Sequence, residues 1–163
     1  MKRLLMIALA AAVYSHTWAQ NLSTPQPSPT QTIKQNFSTG SIELNYSRPG
    51  KKGRTIFGDL VPYGAVWRTG ANSATTLTFT DDVTIGGKEI KAGKYGLLTI
   101  PNADKWTIII TSDVNVTSPA AYNAGNDIVR LEAPVTKLPF GIENFTINFA
   151  DISGANRGAM YRT

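Results

Sequence analysis

The sequence predicts an all-β, single-domain antiparallel β-sandwich, jelly-roll-like or barrel-like, and three observations carry that expectation. Short segments alternate apolar and polar residues with a period of two, as in Ile42-Glu43-Leu44-Asn45-Tyr46. Turn-forming residues separate them, among them Gly86-Gly87, Ala92-Gly93 and Pro101-Asn102-Ala103-Asp104. No segment keeps a helical apolar period for long. About eight short strands with turns between them are the pattern of sandwiches and barrels.

Taken in order, residues 32–37 read as a first strand. Residues 41–47 are a half-buried strand with Ile42, Leu44 and Tyr46 inward. Residues 74–80 place Leu77 and Phe79 on one face. Residues 83–90 are a hairpin, because Gly86 and Gly87 both accept positive φ at its tip. Residues 94–100 and 106–111 follow, and Trp106 alternates with Ile108 and Ile110 as a core residue would. Residues 128–135 alternate Val129, Leu131 and Ala133 against Arg130 and Glu132. Phe145, Ile147 and Phe149 mark a last strand. Between 56 and 67 there is room for one helical turn, limited by Gly58, Pro62 and Gly64. Residues 112–126 form a long loop rich in Ser, Thr, Asn and Pro.

The ends of the chain differ from this body. Lys2 and Arg3, an apolar run over 4–13, and Thr17-Trp18-Ala19 make residues 1–19 a secretory signal peptide. Residues 20–31 carry Pro25, Pro27 and Pro29 and read as a poorly ordered spacer. The β domain then occupies 32–152. The expected location is outside the cytoplasm, periplasmic or extracellular, with no membrane insertion after cleavage.

Composition narrows the chemistry. There is no Cys, and the single His, His16, lies in the signal peptide. Histidine- or cysteine-dependent nucleophiles and the usual zinc sites are therefore excluded from the exported domain. No Asp-x-Asp-x-Asp calcium loop appears, so neither a metal nor a cofactor is expected. A glycosidase would need two positioned carboxylates. Asp59 is the one acid between 46 and 72, and nothing in the sequence pairs a second with it.

Positive charge is local. Arg48, Lys51, Lys52, Arg54 and Arg68 fall between 46 and 72 with only Asp59 opposing them. Such a patch attracts carboxylates, sulfates or phosphates. Nucleic acid is not an expected partner for so modest a charge. The guanidinium forks of Arg48, Arg54 and Arg68 suit bidentate capture of an anion, or they pin a long loop to Asp59 and to carbonyls. Tyr63 and Trp67 either stack on a sugar ring or anchor the loop in the core. Asn72 either meets a ligand hydroxyl or closes a turn.

The segments YSRPGKKGRTIFG from Tyr46, LVPYGAVWRTGAN from Leu60, ATTLTF from Ala74, KAGKYGLLTIP from Lys91 and WTIII from Trp106 follow one another in this order. With them the chain resembles the DUF2911 family, secreted bacterial domains of unknown function found mainly in Bacteroidetes. The resemblance spans roughly residues 29 to 152 and implies a secreted β-rich domain, with no activity to carry over. It also implies a further strand with a Leu-x-Trp-Glu pattern after 152. Here the chain reads GANRGAMYRT, so 153–163 is an atypical tail from a lost strand or an altered reading frame.

Three functions fit these residues. The first is a non-catalytic binding module that grips a small anionic or hydroxyl-rich ligand, a glycan or a peptide carboxylate, with Arg48, Arg54, Tyr63, Trp67, Arg68 and Asn72. The second is a structural or interaction protein whose arginine-rich loop only pins the fold. The third is a carboxylate-dependent hydrolase built on Asp59. The first is the expectation.

Overall fold

The structure is a computed structural model and describes residues 24–150. Residues 1–19, expected to be a signal peptide, and the 153–163 tail lie outside the described residues. Of the spacer, residues 24–29 form no strand, and Thr30 already opens the first one.

The strands are β1 (Thr30–Phe37), β2 (Gly40–Ser47), β3 (Thr76–Phe79), β4 (Val83–Ile85), β5 (Lys88–Ile90), β6 (Gly93–Ile100), β7 (Lys105–Thr111) and β8 (Asp127–Pro134). Six form one antiparallel sheet in the order β1-β2-β3-β6-β7-β8, and β4 and β5 form a separate hairpin. The all-β antiparallel expectation holds, and the large sheet is not closed into a barrel.

Alternation explains the register. Leu44 faces Leu77, Leu77 faces Tyr95, Leu97 faces Ile110, and Ile110 faces Val129. These side chains share one buried cluster. A slip of one residue would turn a whole row to solvent, so burial specifies the pairing. Two pieces cover this face. The hairpin adds Ile90, with Val83 and Ile85 packed beside it. The C-terminal segment adds Ile147, flanked by Phe145 and Phe149.

The other face is covered by chain toward β6 and β7. There Leu98 and Ile109 lie buried under Val116, with Val66, Ile100 and Tyr122 around them. The 112–126 loop is therefore a lid on the sheet, tightened by two 3-10 turns, Pro119–Ala121 and Ala124–Asn126.

Two expectations need correction. Residues 145–149 form no strand. Their alternation records side chains that point inward, but their backbone finds partners one by one. Phe145 N–H donates to the Pro49 carbonyl (2.9 Å), and Ile147 N–H donates to the Tyr46 hydroxyl (3.0 Å). No helical turn forms between 56 and 67 either; the chain there makes successive tight turns, with Gly58 at φ +89°.

The base of the β4–β5 hairpin carries a small ionic clamp. Lys91 Nζ donates to Asp82 Oδ2 (2.9 Å) and to Glu89, and Ala92 N–H donates to Asp82 Oδ1 (2.8 Å). The bond from Lys91, then that from the Ala92 amide, holds the Asp82 carboxyl below its ordinary value of 3.8. A depressed carboxylate contributes stability above its unfolded value, and that contribution disappears as pH falls through the folded value. The Tm difference between wild type and Asp82→Asn should thus be flat near neutral pH and shrink below pH 3.8, as read from melts over that range. The clamp is exposed, so the difference is small.

Candidate functional site

A groove of about 860 Å³ opens at one end of the sheet. Four pieces of chain enclose it: the 49–57 and 60–71 stretches of the β2–β3 connection, the 117–119 turn, and the 142–146 segment.

The β2–β3 connection is long because it carries a strand-like return. Trp67 N–H donates to the Thr99 carbonyl (2.7 Å), and Thr99 N–H donates back to the Trp67 carbonyl (2.9 Å). That single bridge prolongs the pairing of β6 beyond the end of β3. The Trp67 ring meets Phe57, Trp106 and Phe145 edge-on at 5.8, 6.3 and 5.0 Å between centroids. Edge-to-face pairs add about 0.5–1.5 kcal/mol each beyond area burial. Trp67 is thus an anchor that also lines the groove.

Arg68 follows on the same extended stretch, and the chain then turns sharply. Thr69 has φ +58°, a conformation that a β-branched residue rarely adopts. It is held there by neighbours: its carbonyl accepts from Thr75 Oγ1 (2.8 Å) and its hydroxyl lies 3.1 Å from Thr99 Oγ1. Strain of this kind, about 1–3 kcal/mol, gathers where a fold positions a side chain for use. Arg68 Nη1 donates to the Thr117 carbonyl, which ties the connection to the 117–119 turn. Arg68 Nε is shut off from solvent and has no acceptor among the described residues.

Arg54 also lines the groove, but two of its five N–H donors are spent on backbone. Nε donates to the Lys51 carbonyl (3.0 Å) and Nη2 to the Gly50 carbonyl (2.8 Å). Arg48 is not at the groove. Its Nε donates to the Phe145 carbonyl (3.1 Å) and its Nη2 to Thr146 Oγ1 (2.8 Å), fastening the C-terminal segment. Asn72, with φ +57°, donates from its amide to the Ser28 carbonyl (3.1 Å) and fixes the chain ahead of β1. Tyr63 is about half exposed and packs over Gly58, where an added Cβ would come within 2.9 Å of its ring. Of the six residues singled out from the sequence, the structure gathers Arg54, Trp67 and Arg68 at the groove and places Arg48, Tyr63 and Asn72 elsewhere.

Other groove residues were not among those six. Lys51, already part of the basic patch read from the sequence, is a third cation. Ile142, Glu143 and Phe145 come from a segment read as strand, and Thr117 from a loop with no marked residue. Glu143 Oε1 accepts from Lys52 N–H (2.7 Å), so the one acid on the groove is engaged by backbone. Lys51, Arg54 and Arg68 against Glu143 leave a formal charge of +2 on the lining (3 − 1).

Asp59 is exposed, and among the described residues no arginine forms an ion pair with it. The arginines of the β2–β3 connection bond carbonyls and a hydroxyl instead. No group of three metal-binding side chains occurs among the described residues, nor is any helix there long and apolar enough to cross a membrane.

A second polar cluster lies outside the groove. The Tyr122 hydroxyl donates to Asp127 Oδ2, Arg130 Nε donates to the same oxygen (2.7 Å), and Arg130 Nη2 donates to the Tyr122 hydroxyl (2.6 Å). Burial first, then the bond to Asp127, push the Tyr122 phenol above its ordinary value. The cluster fastens the 112–126 loop to β8.

A family profile described as a protein of unknown function, DUF2911, matches residues 28–161. Neither the curated proteins nor the solved structures give a match to the chain. The matched span includes β1 to β8 and every residue on the groove. The chain belongs to the DUF2911 family.

Proposed function

We propose that this is an exported, non-catalytic binding module whose groove takes a small anionic or hydroxyl-rich ligand. The observation that carries the reading is Arg68. Its guanidinium sits on a groove of net positive lining, with one bond to a carbonyl and an Nε–H that finds no acceptor among the described residues. A buried donor without an acceptor costs about 1–3 kcal/mol, and a carboxylate, sulfate or phosphate oxygen would repay it. Export rests on the signal-like character of residues 1–19.

The test is thermal shift against anionic sugars, phosphorylated and sulfated sugars and peptide carboxylates. A ligand should raise the Tm of wild type and not of Arg68→Ala. The Tm of Arg68→Ala alone should fall little, because one exposed hydrogen bond is worth about 1 kcal/mol. A fall of more than about 10 °C in the variant, with no ligand for wild type, would instead make Arg68 a pin.

A second reading has its own support. Arg48 and Arg54 spend their donors on loop backbone and Thr146, as they would in a structural or interaction protein whose connection merely holds itself in place. The hydrolase reading has no comparable support, since Glu143 is the one acid on the groove and a glycosidase needs two.

A further inference from the structure

The accounting of polar groups on the groove narrows the ligand, on the reading that the groove binds one. Lys51, Thr55, Ser118 and Asn144 make no side-chain hydrogen bond among the described residues, while other polar groups on the lining are engaged by the protein. Arg54 is held by two carbonyls and Glu143 by the Lys52 amide. The buried donor left without an acceptor is Arg68 Nε. The Nη2 of the same fork makes no hydrogen bond to a described residue.

The remaining lining is largely apolar. Ile56, Phe57, Val61 and Phe145 lie on it, and Leu60 and Ile142 also line it while 55% and 44% exposed. Large aliphatic side chains held half in water on a groove gain from an apolar occupant.

We infer that the ligand is an amphipathic carboxylate: one anionic end on the Nε–Nη2 side of Arg68, and an aliphatic chain lying against Leu60 and Ile142. A sugar has hydroxyls all round and would bury many of them against side chains that cannot pair with them. A peptide brings an amide at every residue and meets the same difficulty. A fatty-acid-like monocarboxylate has one polar end, which suits the one buried donor without an acceptor among the described residues, and leaves the apolar lining to its chain. Because Nε is closed to solvent, docking requires a small shift of the Arg68 side chain or of the 117–119 turn.

Calorimetric titration of the protein with octanoate, decanoate, 1-octanol, glucuronate and a short leucine-rich peptide acid tests this. Decanoate should bind more tightly than octanoate, about threefold per methylene, as burial of each group predicts. Octanol should bind about tenfold or more weakly than octanoate, for loss of the charged hydrogen bonds. Arg68→Met should lose decanoate. The Leu60→Asn, Ile142→Asn double variant alters exposed side chains, so it keeps the fold, and it should weaken decanoate several-fold while sparing small anions.

Glucuronate or the peptide binding through Arg68 as tightly as decanoate would overturn this inference and leave the anion-binding reading standing. Decanoate affinity unchanged in Arg68→Met would overturn both, as would no binding by any of these probes. If Arg68→Met does not melt cooperatively, the double variant decides, and unchanged decanoate affinity in it would sink the inference.

Discussion

Tyr46→Phe is expected to cost about 2–4 kcal/mol, although it removes a single oxygen from a ring that stays packed. The Tyr46 side chain is almost fully buried on β2. Its hydroxyl accepts from Ile147 N–H (3.0 Å), and its one proton is shared between Gln31 Oε1 (3.1 Å) and the Ile147 carbonyl (3.2 Å). Phenylalanine keeps the edge-on contact with Phe145 but leaves both backbone groups of Ile147 without their partner. Buried backbone groups are rarely left so, because each orphan costs its full desolvation. The check is a denaturant melt beside Tyr63→Phe, whose half-exposed ring should change stability by less than about 0.5 kcal/mol. Amide exchange at Ile147 should accelerate in Tyr46→Phe alone. Equal stability of the two variants would mean that the hydroxyl does not hold the C-terminal segment.

Gly96→Ala is expected to be at least as damaging, for a steric reason. Gly96 sits in β6 between Thr76 of β3 and Thr111 of β7. A Cβ there would lie 2.3 Å from the Asp113 carbonyl oxygen and 2.8 Å from Thr111 Cγ2. The first of these is backbone, so relief requires the 112–116 stretch to lift from the sheet. That stretch carries Val116, which seals Leu98 and Ile109, and leads to the Thr117 carbonyl that receives Arg68. Overpacking of this kind costs about 3 kcal/mol or more, which for a domain of this size lowers Tm by roughly 10 °C or more. Crystallography or NMR of the variant should find the 112–117 stretch displaced. A Tm within about 2 °C of wild type would show that the loop moves freely.

The strands were legible because burial and backbone period agree in them. β2, β3, β6, β7 and β8 each put large apolar residues on one face, and Gly86-Gly87 fixes the hairpin. The 145–149 segment misled because period two records where side chains point, not whether a neighbouring strand supplies the hydrogen bonds. At the groove, residue type singled out Arg54, Trp67 and Arg68. Type alone could not separate Arg68, with its unmet donor, from Arg48, whose fork is spent on Phe145 and Thr146. That distinction depends on a chain segment about a hundred residues away, which no local pattern reports. Glu143 and Thr117 stayed hidden for the same reason.

The hydroxyl clasp on Ile147 spans 101 residues, whereas the large sheet pairs strands adjacent in sequence except where the β4–β5 hairpin intervenes between β3 and β6. Loop closure is costly in entropy until distant contacts reward it, so local hairpins form early and the clasp closes late. In a folding sequence the groove is therefore the last feature assembled, because one of its walls is the segment the clasp retains. In the native state the same order runs backwards. Releasing residues 143–147 opens one wall of the groove while the six-stranded sheet stays paired. The C-terminal wall of the groove and the main sheet thus open separately, and a contact that holds residues 143–147 can stiffen that wall while leaving the strand pairing unchanged.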